Sequence, residues 1–317
     1  MRAMTTREQS APRQVRIYEV GARDGLQAES TIVPTDTKLR FIELLRAAGL
    51  REIEATSFVS PKAIPQLADA EAVFAGLDRG DGIRYPVLVP NRRGLERAEA
   101  AGVDAIAVFA ATDDGYSVRN IGMTVEESLA TFEPILRTAR TRGWWTRAYV
   151  STAFGSPSGR VDPARPVELG LRLADLGAQE IAVSDTLGVG VPSQVGDIVG
   201  GLISGGLPVE RIAFHFHDTR GTALANVYAA LQAGVRCFDA SAGGTGGSPF
   251  APGAAGNLAT EDLVYLLDGL GYEHGADLAG VLAAARFIAQ ALGRPMASKV
   301  GRAGGWDPST GQAIGRG

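Results

Sequence analysis

Cysteine is almost missing from this 317-residue chain: Cys237 stands alone, and histidine is nearly as scarce, with three in all. A single thiol excludes an internal disulfide and fits a reducing, cytoplasmic setting. No apolar run approaches the roughly 20 residues that span a bilayer, so no membrane partner is expected. An excess of one charge is lacking as well. The 31 Lys and Arg against 35 Asp and Glu leave a net charge of −4, and the cations are scattered, which argues against the basic stripe that a nucleic-acid surface needs. No G-x-G-x-x-G opens the chain's first βα turn, which counts against dinucleotide binding. The first stretch, residues 1–14, has no apolar signal core and reads as a disordered tail; the Gly-rich, polar stretch 301–317 reads as a flexible one.

Between them, residues 15–300 alternate strand-like and helix-like segments about every 30 residues, the rhythm of βα units. Strands are predicted at Val15–Val20, Glu52–Ser57, Arg84–Val89, Ala105–Ala110, Trp145–Ser151, Glu180–Ser184, Ile212–His217 and Cys237–Ser241. Helical periodicity fills the gaps, and several helices stop at a Gly just before the next strand, as in AAGLREIEA and LQAGVRCFDA. Eight units and 45% hydrophobic residues suit an α/β fold of (β/α)8 TIM-barrel type in one domain, with an open doubly wound sheet as the alternative.

Two of the three histidines fall in AFHFHDTRG, at the end of the seventh predicted strand. Side chains alternate faces along a strand, so His215 and His217 leave the backbone together while Phe214 and Phe216 leave on the other side. A barrel does its chemistry at that strand end. The plain alternative is a pair of core histidines satisfied by hydrogen bonds. Sorting the other polar residues by strand end brings Asp24, Glu54, Thr56, Asn91, Asp185 and Asn257 to the same mouth. Asp24 and Asn257 oxygens with two imidazole nitrogens form a mixed set that suits Mg²⁺ or Mn²⁺. Two-His-one-carboxylate iron fits the same donors, whereas zinc more often recruits sulfur or a third His.

The segments YEVGARDGLQAE, EATSFVSPKAIPQLAD, SDTLGVGVP, HFHDTRGTALANVYAALQAGV and GGSPFAPGAAGNLATEDLVYLLDGLG resemble the 3-hydroxy-3-methylglutaryl-CoA lyase family of the DRE-TIM metallolyases. The likeness covers nearly everything between the tails. It implies a divalent-metal-dependent carbon–carbon lyase that splits a 3-hydroxy-3-alkylglutaryl-CoA into acetyl-CoA and a 3-keto acid. By the same resemblance Asp24, His215, His217 and Asn257 hold the metal, and Arg23 steadies the developing enolate. Glu54 and Asp185 support the metal and the proton traffic, and Gln27, Tyr149 and Arg147 lie toward an acyl-CoA substrate. A homodimer is also implied.

One motif departs from the family. Its loop reads G-G-C-P-Y, with the cysteine as the mobile acid, while this chain has GGSPF, with Ser248 at that place and Phe250 for the tyrosine. A serine hydroxyl is a far weaker acid than a thiol of pKa about 8.5. Three readings therefore stand: the lyase with Ser248 or a water relaying the proton, a superfamily enzyme with another substrate or a condensing reaction, and an inactive metal-binding homologue. The Gly-rich run 243–256 is expected to be a flexible lid.

Overall fold

The computed structural model describes residues 13–80, 82–248, 251–307 and 310–314. The wall of the fold consists of β1 (Arg16–Glu19), β2 (Glu52–Ile53), β3 (Thr56–Ser57), β4 (Val87–Leu88), β5 (Ala105–Ala111), β6 (Trp145–Ser151), β7 (Glu180–Asp185), β8 (Ile212–Phe216) and β9 (Cys237–Ala240). Neighbours are parallel, in the order β2-β1-β9-β8-β7-β6-β5-β4-β3. The two ends of that order are halves of one predicted strand. Between them the Glu54 N–H donates to the Glu19 carbonyl at 2.8 Å and the Ala55 N–H to the Pro86 carbonyl at 3.0 Å. The sheet thus closes on itself into the expected barrel, and the open sheet is set aside.

Predicted and observed strands coincide for β6 and differ most at β4. Pro86 has no N–H to give to a ladder, so the expected Arg84–Val89 shortens to Val87–Leu88, with Arg84 left in a single bridge to Glu52. Around the wall run α1 (Thr35–Ala47), α2 (Ala70–Ala75), α3 (Arg92–Ala100), α4 (Asp114–Ile121), α5 (Val125–Thr141), α6 (Ala164–Asp175), α7 (Pro192–Ser204), α8 (Ala223–Gln232), α9 (Thr260–Leu270) and α10 (Leu278–Leu292). The Gly-rich run forms an antiparallel pair, β10 (Gly247–Ser248) with β11 (Ala251–Ala255). Phe250 lies outside the described residues.

Most of the expected N-terminal tail, residues 1–12, lies outside the described residues, and parts of both end stretches that are described carry structure. Gln14 bridges to Glu273. Beyond residue 298, α11 (Lys299–Ala303) and a hairpin of β12 (Gly305–Asp307) with β13 (Gln312–Ile314) add to the domain. Asp262 accepts from the Lys299 and Val300 amides at 3.0 and 2.7 Å, and the Lys299 ammonium pairs with Asp218. Composition favours a tail because Gly and polar residues dominate there; a cap from a distant carboxylate is invisible to composition.

Side chains sort by strand parity into two cores. Ile106, Val108, Val150, Ile181, Val183, Phe214 and Phe216 point out against the helices, while Ala107, Ala182 and Ala213 point in with Tyr18 and Tyr149. Phe214 and Phe216 stack at 4.9 Å on the helix side. The inward alanines are small, which leaves lumen space for long polar chains. Arg16 bridges Glu52 and Glu180 at the amino end of the barrel. One level higher Arg147 pairs with Asp239 at 2.5 Å and lies 3.8 Å over the Tyr18 ring.

Two outward carboxylates root the Gly-rich run. Glu19 accepts from the Gly21 and Ala242 amides and the Thr260 hydroxyl, and Glu261 accepts from the Gly243 amide at 3.0 Å. Burial pushes both carboxyls from 4.5 up to about 7, against the pull of those hydrogen bonds. A carboxyl whose native pKa is raised binds its proton in the fold where the unfolded chain has lost it, so its stabilising contribution fades as pH rises from 4.5 to about 7. For Glu19 that contribution is about 3 kcal/mol. Urea unfolding at pH 5 and pH 8 is expected to show the stability advantage of the native chain over Glu19→Gln shrinking by a few kcal/mol; a constant difference would refute the assignment.

Candidate metal and active site

Four turns at the carboxyl ends of the strands converge. After β1 the chain makes a π-helical turn, Gly21–Gly25, so Arg23 and Asp24 sit just past the strand and not on it. Gly25 allows this turn to press on the loop opposite, since the Thr245 hydroxyl occupies the place a Cβ would take. From β8 come His215 and, one step beyond, His217, which bridges to Asn257. Ligand atoms of Asp24, His215 and His217 all lie within 4.8 Å of one another. The Asn257 amide nitrogen donates to Asp24 at 3.0 Å and to the Thr245 carbonyl at 3.1 Å.

The fit of this group to a cation rests on atoms that have nothing else to do. Asn257 Oδ1, an acceptor, and the ring nitrogen His217 Nδ1 are buried with no hydrogen-bond partner, a state that costs roughly 1–3 kcal/mol each unless a ligand supplies the missing contact. His215 Nδ1 faces Asp239 Oδ2 at 3.1 Å. A carboxylate can only accept, so the ring proton sits on Nδ1 and the Nε2 lone pair is left for the group. Electrostatics agree. Burial raises the Asp24 carboxyl, yet Arg23, His215, His217 and the Asn257 amide outweigh it and hold the group down to about 2. Burial, with His215 beside it, drives His217 down to about 3, so its imidazole is neutral at pH 7.

Glu54 organises the neighbouring cation. It is fully buried between β2 and β3 and takes a hydrogen bond from Arg23 Nε, one from Tyr18 at 2.8 Å and one from Tyr149 at 2.6 Å. Burial first, and the nearby Glu54 second, push both phenols well above their usual value, so they remain donors. Arg23 also reaches Asp24 at 2.7 Å and lies 5.7 Å over Tyr149, whose ring meets His215 edge-on. Asp185, at the end of β7, gives its two oxygens to the Val189 and Gly190 amides at 3.0 and 2.8 Å, which shapes its turn.

The remaining expected residues divide. Gln27 is half-buried one helical step past Asp24. Arg147 has no exposed surface and lies inside the barrel, paired with Asp239 and Glu180; it meets the mouth residues through Asp239 to His215 and through the Tyr18 and Tyr149 rings, 3.8 and 5.0 Å from its guanidinium. It precedes the strand's end by four residues. Asn91 caps α3 by accepting from the Gly94 amide at 2.9 Å. Ser248 is placed by its backbone in β10. Cys237 is buried at the opposite end, 3.9 Å from Glu180.

Sequence reading missed Asp239, Tyr18 and Tyr116. Asp239 shares the inward parity of Cys237 two residues earlier, a signal that was present in the eighth predicted strand. Tyr116, in α4, has its phenol pushed up to about 12 by burial and then by the charge of Asp24, which sets it near the same mouth.

A closed parallel barrel whose carboxyl end gathers an aspartate, two histidines and an asparagine defines a barrel-enzyme architecture with a group that could hold a metal ion. A family model described as HMGL-like matches residues 14–288, and the chain belongs to that divalent-metal-dependent family; its relatives make it a carbon–carbon lyase. It is 47% identical over 293 residues to the mitochondrial hydroxymethylglutaryl-CoA lyase of Bos taurus, covering 92% of this chain and 90% of that one. The crystal structure of hydroxymethylglutaryl-CoA lyase from Pseudomonas aeruginosa superposes with a TM-score of 0.89 at 42% identity, over 92% of this chain and 97% of that one. An HMG-CoA lyase from Acenitobacter baumannii in complex with coenzyme A and 3-methylmalate gives 0.87 at 39% identity, covering 92% and 95%.

Ligand binding to the native state alone must stabilise it, by about 2.7 kcal/mol at 100 times the dissociation constant. Manganese is therefore expected to raise the melting temperature of the native chain, and Asn257→Ala to abolish the rise. Asp239→Ala removes the acceptor that fixes the His215 tautomer and is expected to weaken Mn²⁺ binding about tenfold or more, read by paramagnetic resonance of free Mn²⁺.

Proposed function

We propose that the chain cleaves a 3-hydroxy-3-alkylglutaryl thioester of coenzyme A, with 3-hydroxy-3-methylglutaryl-CoA as the first candidate, to acetyl-CoA and a 3-keto acid. The observation that carries this reading is the joint placement at one mouth of the Asp24, His215, His217 and Asn257 donors and the Arg23 guanidinium locked beside them by Glu54. A divalent ion held by those four residues, Mg²⁺ or Mn²⁺ by the chemistry of the donor set, would acidify the tertiary alcohol.

Once the alcohol proton passes to a carboxylate at the mouth, for which Asp185 at the end of β7 is the candidate, the bond between the carbinol carbon and the thioester's α-carbon breaks, and its electron pair passes into the enolate of the acetyl thioester. Arg23 is the residue for that enolate oxygen, because a guanidinium keeps its charge and offers donors in a fixed fork. Two of its nitrogens are already held by Glu54 and Asp24, which pre-orients the rest. Glu54 accepts from three donors at once, so its work is to aim Arg23 and Tyr149, and Asp185, bound to amides of its own turn, shapes the rim. Gln27 and Tyr149 face the acyl group in this reading, with Arg147 acting from beneath through Asp239. The sealed single thiol supports work in a reducing, cytoplasmic setting.

The enolate carbon must finally receive a proton, and here Ser248 stands in the loop where the family carries cysteine. The deciding measurement is metal-dependent release of acetyl-CoA from 3-hydroxy-3-methylglutaryl-CoA by the native chain and by Ser248→Cys. Turnover by the native chain with little change in Ser248→Cys is expected. Gain of activity only with the cysteine would mean a lyase scaffold turned to another substrate or to condensation, a reaction that needs no protonating thiol; inactivity of both would overturn the thioester reading.

A further inference from the structure

Glu29 is linked to the metal group by a chain of hydrogen bonds that the lyase reading does not use. It follows the π-helical turn by four residues, and its side chain is 10% exposed. Arg294, just past α10, grips it with two nitrogens, Nε to Oε2 at 3.0 Å and Nη2 to Oε1. Oε1 also accepts the Gly246 amide at 3.1 Å. Gly246 has a φ of +90°, and a Cβ there would stand 2.8 Å from Asn257 Nδ2 and 3.4 Å from the Asp24 carbonyl, so this backbone lies directly on the metal group. The residue before it, Thr245, gives its carbonyl to that same Asn257 nitrogen at 3.1 Å, which leaves Asn257 Oδ1 turned away and without a partner. Two residues on, the chain reaches Ser248.

We propose that Glu29, braced by Arg294, is a positioning residue: by holding the Gly246 amide it fixes the loop stem from which the Asn257 donor is oriented and from which the chain runs on into β10. The inference rests on the lyase reading for its activity readout only. A purely structural ion pair would connect α10 to the barrel and leave the stem to itself. The positioning role requires an acceptor at residue 29, whatever the sign of residue 294.

Charge exchange separates the two. Glu29→Arg combined with Arg294→Glu can rebuild the ion pair but cannot accept the Gly246 N–H, whereas Glu29→Gln keeps a carbonyl for it. Expected for Glu29→Ala is a loss of about tenfold or more in kcat/KM with 3-hydroxy-3-methylglutaryl-CoA together with several-fold weaker Mn²⁺ binding. The exchange variant should melt near the native chain yet stay as impaired as Glu29→Ala, and Glu29→Gln should retain most of both properties. Restoration of Mn²⁺ affinity and turnover by the exchange overturns the proposal, as does unchanged Mn²⁺ affinity in Glu29→Ala. Should the exchange variant not fold, equal losses in Glu29→Gln and Glu29→Ala overturn it and a clear difference supports it. A native chain that binds Mn²⁺ but does not cleave the thioester would sink the substrate reading alone, since metal affinity still decides the role of Glu29.

Discussion

The carboxylate of Glu54 is the interaction on which the mouth of this barrel depends. Buried without any solvent exposure, it collects a guanidinium and two phenols from three different strands or turns. A buried charge left without partners is destabilising by several kcal/mol, and so is each partner left without it. Arg23, Tyr18 and Tyr149 are therefore fixed together or not at all. Because Arg23 in turn holds Asp24, the position of one donor to the cation is inherited from a residue that never touches it.

Beneath that layer the barrel lumen is an alternation of small apolar and long charged groups. Ala107, Ala182 and Ala213 leave room, and Arg147 with Asp239 and Glu180 fills it. The pairing of charges is what makes such a lumen tolerable, since an isolated guanidinium at that depth would carry its full desolvation cost. Its benefit at the mouth is the Asp239 contact to His215, which holds one ring tautomer through a strut anchored on the barrel's own interior.

Much of this architecture is legible in the amino-acid sequence. Alternation of the Phe and His residues in AFHFH puts two imidazoles on the lumen side, and they do face Asp24 there. Strand ends alone bring Asp24, Glu54, His217 and Asn257 together. Three things are not legible, for different physical reasons. Pro86 shortens a strand whose apolar pattern looks complete, because periodicity does not count amide donors. Arg147 is set toward the substrate by resemblance alone, and its pairing with Glu180 and Asp239 inside the lumen depends on partners from other strands. The start of α11, Lys299 and Val300, is held by Asp218 and Asp262, carboxylates far away in the chain.

The fate of sulfur in this molecule has a consequence for its chemistry in the cell. Cys237 is sealed at the amino end of the barrel, and burial first, then the charge of Glu180, raises its thiol well above the ordinary value. With serine at position 248 the chain has no second cysteine. Thiolate character and access together set how readily cysteine is oxidised or alkylated, and here both are withheld. Disulfide exchange thus finds no accessible thiol among the described residues of this barrel.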